Sequence, residues 1–300
     1  MTNLKLLLGT ARLPFLVLTP ACIVLGWACA SATTAPFPWV DALLVLFGAL
    51  LAHVSVNAFN EYLDFRSGLD LATERTPFSG GSGTLPAHPE LAPAARALAV
   101  ATLGMCMAVG AYFVWLRGSA LLPLGLAGVV LVVAYTRWVT RSAWLCLVAP
   151  GLGFGPLMVL GTDVALTGHY HLSTWAASLT PFFLVNNLLL LNQFPDVEAD
   201  RQAGRRHLLV QHGTGLASRL FVAMTIAAYA IPVLAVGWGW LPWGALLGLG
   251  GLILAVPAAR DVLRHHNDVP ALLPAMGRNV GANLLTPVLM ATGMTLQRLL

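Results

Sequence analysis

The stretch TWAASLTPFFLVNNLLLLNQF, residues 174–194, decides the fold of this chain, and the acidic stretch PDVEAD follows it at 195–200. The first stretch carries no charged side chain and has the length of roughly 20 apolar residues that a helix needs to cross a bilayer. Because lipid offers no hydrogen-bond partners to free backbone groups, such a segment must be helical. Asp196 and Asp200 are therefore expected where this helix leaves the bilayer.

Apolar runs of this kind recur along the whole chain. Its 300 residues are 58% hydrophobic and 9% charged, with a mean hydropathy of +0.78, whereas soluble domains carry about 25% charged residues. The runs lack the alternation of apolar and polar residues that the strands of a membrane β-barrel show. We therefore predict an all-α integral membrane protein that forms one domain over residues 1–300. Its nine predicted transmembrane helices are at roughly 13–31, 38–59, 93–115, 119–136, 143–162, 174–194, 218–239, 241–259 and 280–299.

The basic residues predict how these helices are oriented. If the N-terminus is cytoplasmic, then of the 16 lysines and arginines only Arg117 and Arg298 fall on the outer side, as the positive-inside rule requires. This asymmetry explains the net charge of +4, which therefore does not indicate a nucleic-acid partner. The same topology brings the long polar connections at 61–92 and 195–217 to the cytoplasmic side.

Two matched acidic motifs lie at the start of those connections. The first reads Asn60-Glu61-Tyr62-Leu63-Asp64 and the second reads Asn192-Gln193-Phe194-Pro195-Asp196, and Asp70 or Asp200 follows each one. Residues four apart share a helix face, so each Asn and Asp pair can point the same way. Charged residues at the membrane are costly unless they serve a function. A solvated acidic loop could explain one motif, but two matched motifs on one side indicate a shared site.

The chemistry that fits this layout is the binding of a diphosphate through Mg²⁺. Mg²⁺ prefers oxygen ligands and usually takes one or two carboxylates together with phosphate oxygens and water. Nearby arginines could take up the charge of a departing diphosphate; they are Arg66, Arg75, Arg201, Arg205 and Arg206. The residues alone therefore predict a metal and diphosphate site on the cytoplasmic side.

The sequence around both motifs resembles the UbiA superfamily of intramembrane prenyltransferases, over about residues 10–295. The first motif extends to Asn57-x-x-Asn60-Glu61-Tyr62-x-Asp64-x-x-x-Gly68-x-Asp70, and the second to Asn192-Gln193-x-x-Asp196-x-Glu198-x-Asp200-Arg201-x-x-Gly204-Arg205-Arg206. Both are similar to the branch that prenylates 1,4-dihydroxy-2-naphthoate for menaquinone, as is FGPLMVLGT at 154–162. The chain departs from the family pattern at Glu61, Gln193 and His207.

This resemblance implies a fold, a cofactor and a set of site residues. The helices would surround a central cavity capped by the two cytoplasmic loops. Mg²⁺ would be held by Asp64, Asp70, Asp196, Asp200, Asn60 and Asn192, of which Asp64, Asp196, Asn60 and Asn192 would be catalytic. The diphosphate would be contacted by Arg75, Arg137, Arg141, Arg201 and Arg206. The expected reaction transfers a prenyl group from a polyprenyl diphosphate to an aromatic acceptor, a naphthoate or quinone precursor, in the cytoplasmic membrane, with Tyr62, Phe65 and Phe194 as candidate aromatic neighbours of the allylic cation.

Other functions remain open at this point. A terpene cyclase on the same scaffold would keep both acidic motifs and need no acceptor. A cation transporter would place carboxylates at mid-membrane on broken helices, whereas these spans are nearly free of carboxylates, with Asp41 as the main exception. A catalytically idle scaffold would not need the four aspartates of the two motifs.

Overall fold

The computed structural model describes residues 3–73 and 75–300. Helices account for 83% of the chain, and the described residues contain no β-strand, so the predicted all-α fold is confirmed. The main helical stretches, in chain order, are α1 (Leu13–Ala30), α2 (Trp39–Ser67), α3 (Pro89–Arg117), α4 (Ser119–Ala134), α5 (Ala143–Thr167), α6 (Leu172–Asn192), α7 (Leu208–Gly237), α8 (Trp243–His265) and α9 (Val269–Leu299).

Seven of these stretches, all except α4 and α9, are long and apolar enough to cross a membrane. The chain is therefore a multi-pass integral membrane protein. Stretch α4 is apolar but shorter than the other spans, and α9 is a continuous helix of 31 residues that is not among the seven. Stretch α4 matches the predicted span 119–136 and α9 contains the predicted span 280–299, but the predicted number of nine spans is not confirmed.

Helix α2 continues well past its predicted apolar run, which ends at residue 59. It carries Asn60 to Asp64 of the first acidic motif in helical conformation and ends at Ser67, and the following Gly68 has a φ of 81°, in the left-handed region. Glycine suits such a helix end because it has no Cβ to clash there. The short helix Leu69–Ala72 follows directly and carries Asp70.

The second motif lies at a break between two helices. Helix α6 ends at Asn192, and Asp196 immediately precedes the short helix Val197–Gln202. A proline cannot donate its backbone nitrogen to a helix, which agrees with the interruption at Pro195. Asp196 and Asp200 thus lie at the start of and within a separate short helix that follows α6.

Glycines bring α5 and α6 into close contact. A Cβ at Gly151 would collide with the Phe182 carbonyl oxygen, and one at Gly155 would lie 2.5 Å from the Ser178 carbonyl oxygen. Within α5, residues Gly153–Leu160 form a π-helix, a rare form that frequently occurs near functional sites. The Asn186 side chain accepts a hydrogen bond of 2.6 Å from the Gly151 nitrogen, which satisfies a backbone group of this distorted region.

Candidate active site

A cavity of about 420 Å³ lies among α1 to α6, and its lining changes in character from one end to the other. Its polar end, which we call the mouth, is formed by both acidic motifs, and its remaining wall is largely apolar. On α2 the lining residues recur every three or four positions: Val45, Gly48, Ala49, Ala52, His53, Val56, Asn57, Asn60 and Asp64. This is one face of a helix, and the 19 positions from Val45 to Asp64 correspond to a length of about 28 Å.

All six residues predicted to hold the metal line this one cavity. They are Asn60, Asp64, Asp70, Asn192, Asp196 and Asp200. The two halves of the chain therefore meet at a single site, as the shared topology predicts.

Arg205 joins the two motifs directly. Its guanidinium donates to the Asp64 carboxylate and, at 3.0 Å, to Oδ1 of Asp200. Burial, the largest single effect, disfavours the charged form of Arg205, but the carboxylates of Asp64 and Asp200 outweigh it and raise the pKa of Arg205. A permanent positive charge thus lies between the carboxylates of two sequence segments that are far apart in the chain.

His207 is a further partner of Asp200. Its Nε2 lies 2.9 Å from Oδ2 of Asp200, and both side chains are buried. Asp200 is therefore held on one oxygen by Arg205 and on the other by His207. In the sequence, His207 stands out only as a departure from the family pattern.

Asp70 and Asp196 have buried oxygens that no described group satisfies, Oδ2 of Asp70 and Oδ1 of Asp196. Burial, followed by repulsion from Asp64 and Glu61, raises the pKa of Asp70 to about 7. Burial, followed by repulsion from Asp200, raises the pKa of Asp196 to about 7, against an opposing effect of the Ser79 side chain beside it. Carboxylate oxygens buried in this way are usually paired or bound to a metal, so the unsatisfied oxygen of each residue can accept a cation.

The donor set fits Mg²⁺, although the carboxylates are not gathered into a finished metal site. Among residues 3–73 and 75–300, no group of three His, Cys, Asp or Glu side chains is arranged to hold a metal ion. Two of the six predicted ligands, Asp64 and Asp200, are instead paired with Arg205. Six side chains with oxygen ligands around one cavity nevertheless match the preference of Mg²⁺ for carboxylate and carbonyl oxygens.

Arg12 is a second arginine that lines the cavity. Its Nε donates to Oε1 of Glu61 at 2.7 Å, and its Nη2 donates to Oδ1 of Asn60 at 3.0 Å. It adopts a left-handed backbone conformation with φ of 51°, which is uncommon for a residue other than glycine. In the sequence, Arg12 counted only as one of the basic residues assigned to the cytoplasmic side.

The five arginines predicted to contact the diphosphate are exposed and do not line the cavity in the described part of the chain. They are Arg75, Arg137, Arg141, Arg201 and Arg206. Arg201, for example, pairs with Glu198 at 2.7 Å on the surface. Their contact with a diphosphate stays a prediction, and the cavity itself presents Arg12 and Arg205.

The aromatic lining also differs from the residues that sequence proximity suggested. Tyr62 and Phe65 pack against one apolar cluster and Phe194 belongs to another, so they support the walls of the fold. The rings that line the cavity are those of Phe15, Phe78, Phe113, Tyr135 and Phe154. They come from five separate segments, and no local pattern in the sequence marks them as neighbours.

Comparison with known proteins agrees with this architecture. Residues 19–276 match the UbiA prenyltransferase family. The chain is 29% identical over 195 residues to 1,4-dihydroxy-2-naphthoate octaprenyltransferase from Bacillus subtilis, an alignment that covers 63% of this chain and 61% of that protein. It is 28% identical over 151 residues to 2-carboxy-1,4-naphthoquinone phytyltransferase from Synechocystis, covering 47% of this chain and 49% of that protein. The matches thus span about half to three fifths of these relatives.

Solved structures share the fold at low sequence identity. A UbiA homologue from Archaeoglobus fulgidus, bound to DMAPP and Mg²⁺, superposes with a TM-score of 0.64 at 14% identity, covering 98% of this chain and 99% of that one. The apo structure of a UbiA homologue from Aeropyrum pernix K1 gives a TM-score of 0.67 at 18% identity, covering 95% and 98%. These likenesses show that almost the whole chain adopts the same fold.

Proposed function

The chain belongs to the UbiA prenyltransferase family, and on that premise we propose that it transfers a prenyl group from a polyprenyl diphosphate to an aromatic acceptor within the membrane. One observation carries the proposal. The acidic residues of both motifs line the mouth of a single cavity, and the cavity continues into a largely apolar interior. A ligand with a charged diphosphate head and a hydrocarbon tail matches both parts.

The proposed cofactor is Mg²⁺. Asp64, Asp70, Asp196 and Asp200 would hold it together with the amide oxygens of Asn60 and Asn192. Bound there, Mg²⁺ would neutralise charge on the diphosphate oxygens and so favour departure of the diphosphate as a leaving group. The unsatisfied buried oxygens of Asp70 and Asp196 support this assignment.

Arg12 and Arg205 are the proposed protein partners of the diphosphate. Both line the cavity beside the carboxylates, and a guanidinium can donate two parallel hydrogen bonds to phosphate oxygens. Fixed positive charges that face the leaving group stabilise the negative charge that develops on it. Arg205 would have to exchange part of its present contact with Asp64 and Asp200 for the diphosphate.

The cavity wall suits the carbon chemistry. Breaking the bond between C1 of the prenyl group and the diphosphate oxygen leaves an allylic cation, which water would destroy, and an apolar cavity excludes water. The faces of aromatic rings attract cations, and Tyr135 and Phe154 line the cavity. A carbon of the acceptor ring then forms the new bond to C1, and the ring loses a proton or carbon dioxide.

The acceptor is proposed to be a naphthoate of the quinone pathway. The support comes from the two relatives named above, which act on 1,4-dihydroxy-2-naphthoate and 2-carboxy-1,4-naphthoquinone by their names. The cavity mouth is proposed to face the cytoplasm, because the basic residues cluster on that side under the positive-inside rule.

Product analysis of the purified protein in detergent tests this function. The protein is incubated with Mg²⁺ and radiolabelled prenyl diphosphates, with dihydroxynaphthoate, with 4-hydroxybenzoate, or without acceptor. We expect a prenylated naphthoate whose formation requires Mg²⁺, and we expect its loss in Asp64→Asn and Asp196→Asn. The matched control is Glu198→Gln, because Glu198 lies between Asp196 and Asp200 in the chain but its side chain is 67% exposed.

Two results would overturn the proposal. A cyclised or hydrolysed prenyl product without an acceptor adduct would move the function to terpene cyclisation at the same site. The absence of any turnover, with the aspartate variants indistinguishable from wild type, would remove the enzyme assignment.

A further inference from the structure

Glu61 is a fully buried carboxylate within the first motif that the proposed chemistry leaves without a role. Its side chain is 0% exposed. The lining of the cavity includes Asn60 and Asp64 on either side of it, whereas Glu61 is not among the described lining residues. A charged group without solvent is stable only when it is paired and hydrogen-bonded, so its partners reveal what it does.

Three donors from two other segments satisfy Glu61. The Arg12 Nε donates to Oε1 at 2.7 Å, and the backbone nitrogen of Ser82 donates to the same oxygen at 2.7 Å. The Ser82 hydroxyl donates to Oε2 at 2.6 Å. Glu61 therefore ties the N-terminal segment and the connection after the first motif to helix α2.

The connection that Glu61 holds, residues 76–83, lines the cavity beside both acidic motifs, and we call it the strap. Its residues Phe78, Ser79, Gly80 and Gly81 line the cavity. Its backbone is shaped by left-handed glycines, with φ of 82° at Gly80, 73° at Gly81 and 75° at Gly83. These are conformations that other residues rarely adopt.

The strap lies close to the carboxylates of Asp70 and Glu61. A Cβ added to Gly81 would lie 3.1 Å from Oδ1 of Asp70 and 3.3 Å from Oε1 of Glu61. Its backbone is thus in near contact with one proposed metal ligand, and a side chain at position 81 would crowd both carboxylates.

The other end of the strap is fixed to the second half of the molecule. The Phe78 ring packs against the apolar cluster that includes Leu272 and Met276 of α9. The Ser79 side chain lies beside the carboxylate of Asp196. The strap therefore spans from the first motif to the second, with Glu61 holding one end.

We propose that Glu61 is a positioning residue, which aims Arg12 into the cavity and holds the strap in place beside the two acidic motifs, and which does not bind the metal. The proposal rests on the proposed function for the identity of the ligand that Arg12 meets. The contacts of Glu61 with Arg12 and Ser82 do not depend on that function. The positioning role of Glu61 and the proposed function can therefore be tested separately.

The test compares wild type with Glu61→Gln and Ser82→Ala. Glu61→Gln keeps the shape of the side chain but removes its charge, whereas Ser82→Ala removes one contact to the strap and leaves the pair of Arg12 and Glu61 in place. Glu198→Gln again serves as the control. Hydrogen exchange of the strap is measured without metal or substrate, Mn²⁺ binding is measured by electron paramagnetic resonance, and KM and kcat are measured with geranylgeranyl diphosphate.

We expect faster exchange in the strap for both variants and an unchanged affinity for Mn²⁺. For Glu61→Gln we also expect KM for the diphosphate to rise about ten-fold, the effect of one charge-assisted hydrogen bond, with a smaller change in kcat. Ser82→Ala should raise KM less, because Arg12 keeps its partner.

Loss of Mn²⁺ binding in Glu61→Gln would make Glu61 a metal ligand and overturn the proposal. Unchanged strap exchange in both variants would overturn it as well. If wild type itself turns over no prenyl diphosphate, the proposed function fails, and the exchange and Mn²⁺ measurements still decide whether Glu61 positions the strap.

Discussion

Arg205 and Asp64 lie 141 residues apart in the chain and form an ion pair at the mouth of the cavity. The same guanidinium also reaches Asp200, so one positive charge stabilises two carboxylates that would otherwise repel each other. Both carboxylates are proposed Mg²⁺ ligands. In the metal-free protein, Arg205 therefore supplies the positive charge that a bound metal ion would later provide.

Arg205→Ala should destabilise the metal-free protein. Removing one partner of a buried ion pair costs roughly 3 kcal/mol, because Asp64 and Asp200 are left buried without compensation. Thermal unfolding in detergent should show a lower midpoint in EDTA and a smaller decrease in Mg²⁺, since the metal replaces the lost charge. The control is Arg201→Ala, because the Arg201 side chain is 55% exposed and pairs with the surface residue Glu198. An equal decrease with and without Mg²⁺ would contradict this explanation.

Metal affinity should fall as the pH falls through about 7. In the metal-free protein the pKa values of Asp70 and Asp196 are raised to about 7, so both carboxylates hold a proton below that pH and lose it above. Mg²⁺ must displace those protons in order to bind. For each proton that competes, the Mg²⁺ concentration for half-maximal activity should therefore be roughly ten-fold higher at pH 6 than at pH 8. Asp70→Asn and Asp196→Asn should bind more weakly but with a flatter pH dependence. A Mg²⁺ requirement independent of pH would show that neither carboxylate titrates in this range.

Gly110→Leu should restrict the length of the prenyl chain that the protein accepts. Gly110 on α3 lines the cavity, and a Cβ there meets no atom within 4 Å, so a larger side chain would fill the apolar part. Gly104 on the same helix has equal space but is not among the described lining residues, which makes Gly104→Leu the matched control. Turnover of long prenyl diphosphates should fall relative to short ones in Gly110→Leu alone. The same preference in both variants would mean that the tail lies elsewhere.

Arg12→Ala should weaken diphosphate binding more than Arg201→Ala does. Arg12 lines the cavity and is ordered by Glu61 and Asn60, whereas Arg201 is on the surface. Losing one charge-assisted contact corresponds to a rise of about ten-fold or more in KM for the diphosphate, and Arg201→Ala should stay within about two-fold, as surface pairs contribute little. A larger rise in KM for Arg201→Ala than for Arg12→Ala would instead indicate that the exposed arginines predicted from the sequence contact the diphosphate.

Composition and apolar runs predicted the helical membrane fold, because the bilayer restricts a spanning chain to very few structures. The sequence also indicated that the two acidic motifs would meet, because the predicted topology places both on the same side of the membrane. The number of spans could not be predicted as well. Stretch α4 is apolar but short, and α9 is long enough but is not among the seven apolar spans.

The partners of the motif residues could not be predicted in the same way. Arg12, Arg205 and His207 reach the site through contacts with Glu61, Asp64 and Asp200, and such contacts depend on how distant segments pack. The aromatic residues that line the cavity could not be predicted for the same reason, because they also come together through the packing of distant segments. Spacing within a helix indicates which residues share a face, but it does not show which face of another helix lies opposite.

A single shared site requires that both acidic motifs contribute to one binding event. Binding of geranylgeranyl thiodiphosphate, a substrate analogue that resists cleavage, is measured with and without Mg²⁺ in wild type, Asp64→Asn, Asp196→Asn and Glu198→Gln. We predict Mg²⁺-dependent binding that is lost in either aspartate variant and kept in Glu198→Gln. Full Mg²⁺-dependent binding in one of the two aspartate variants would show that its motif does not belong to the diphosphate site, and the account of a single shared site would be wrong.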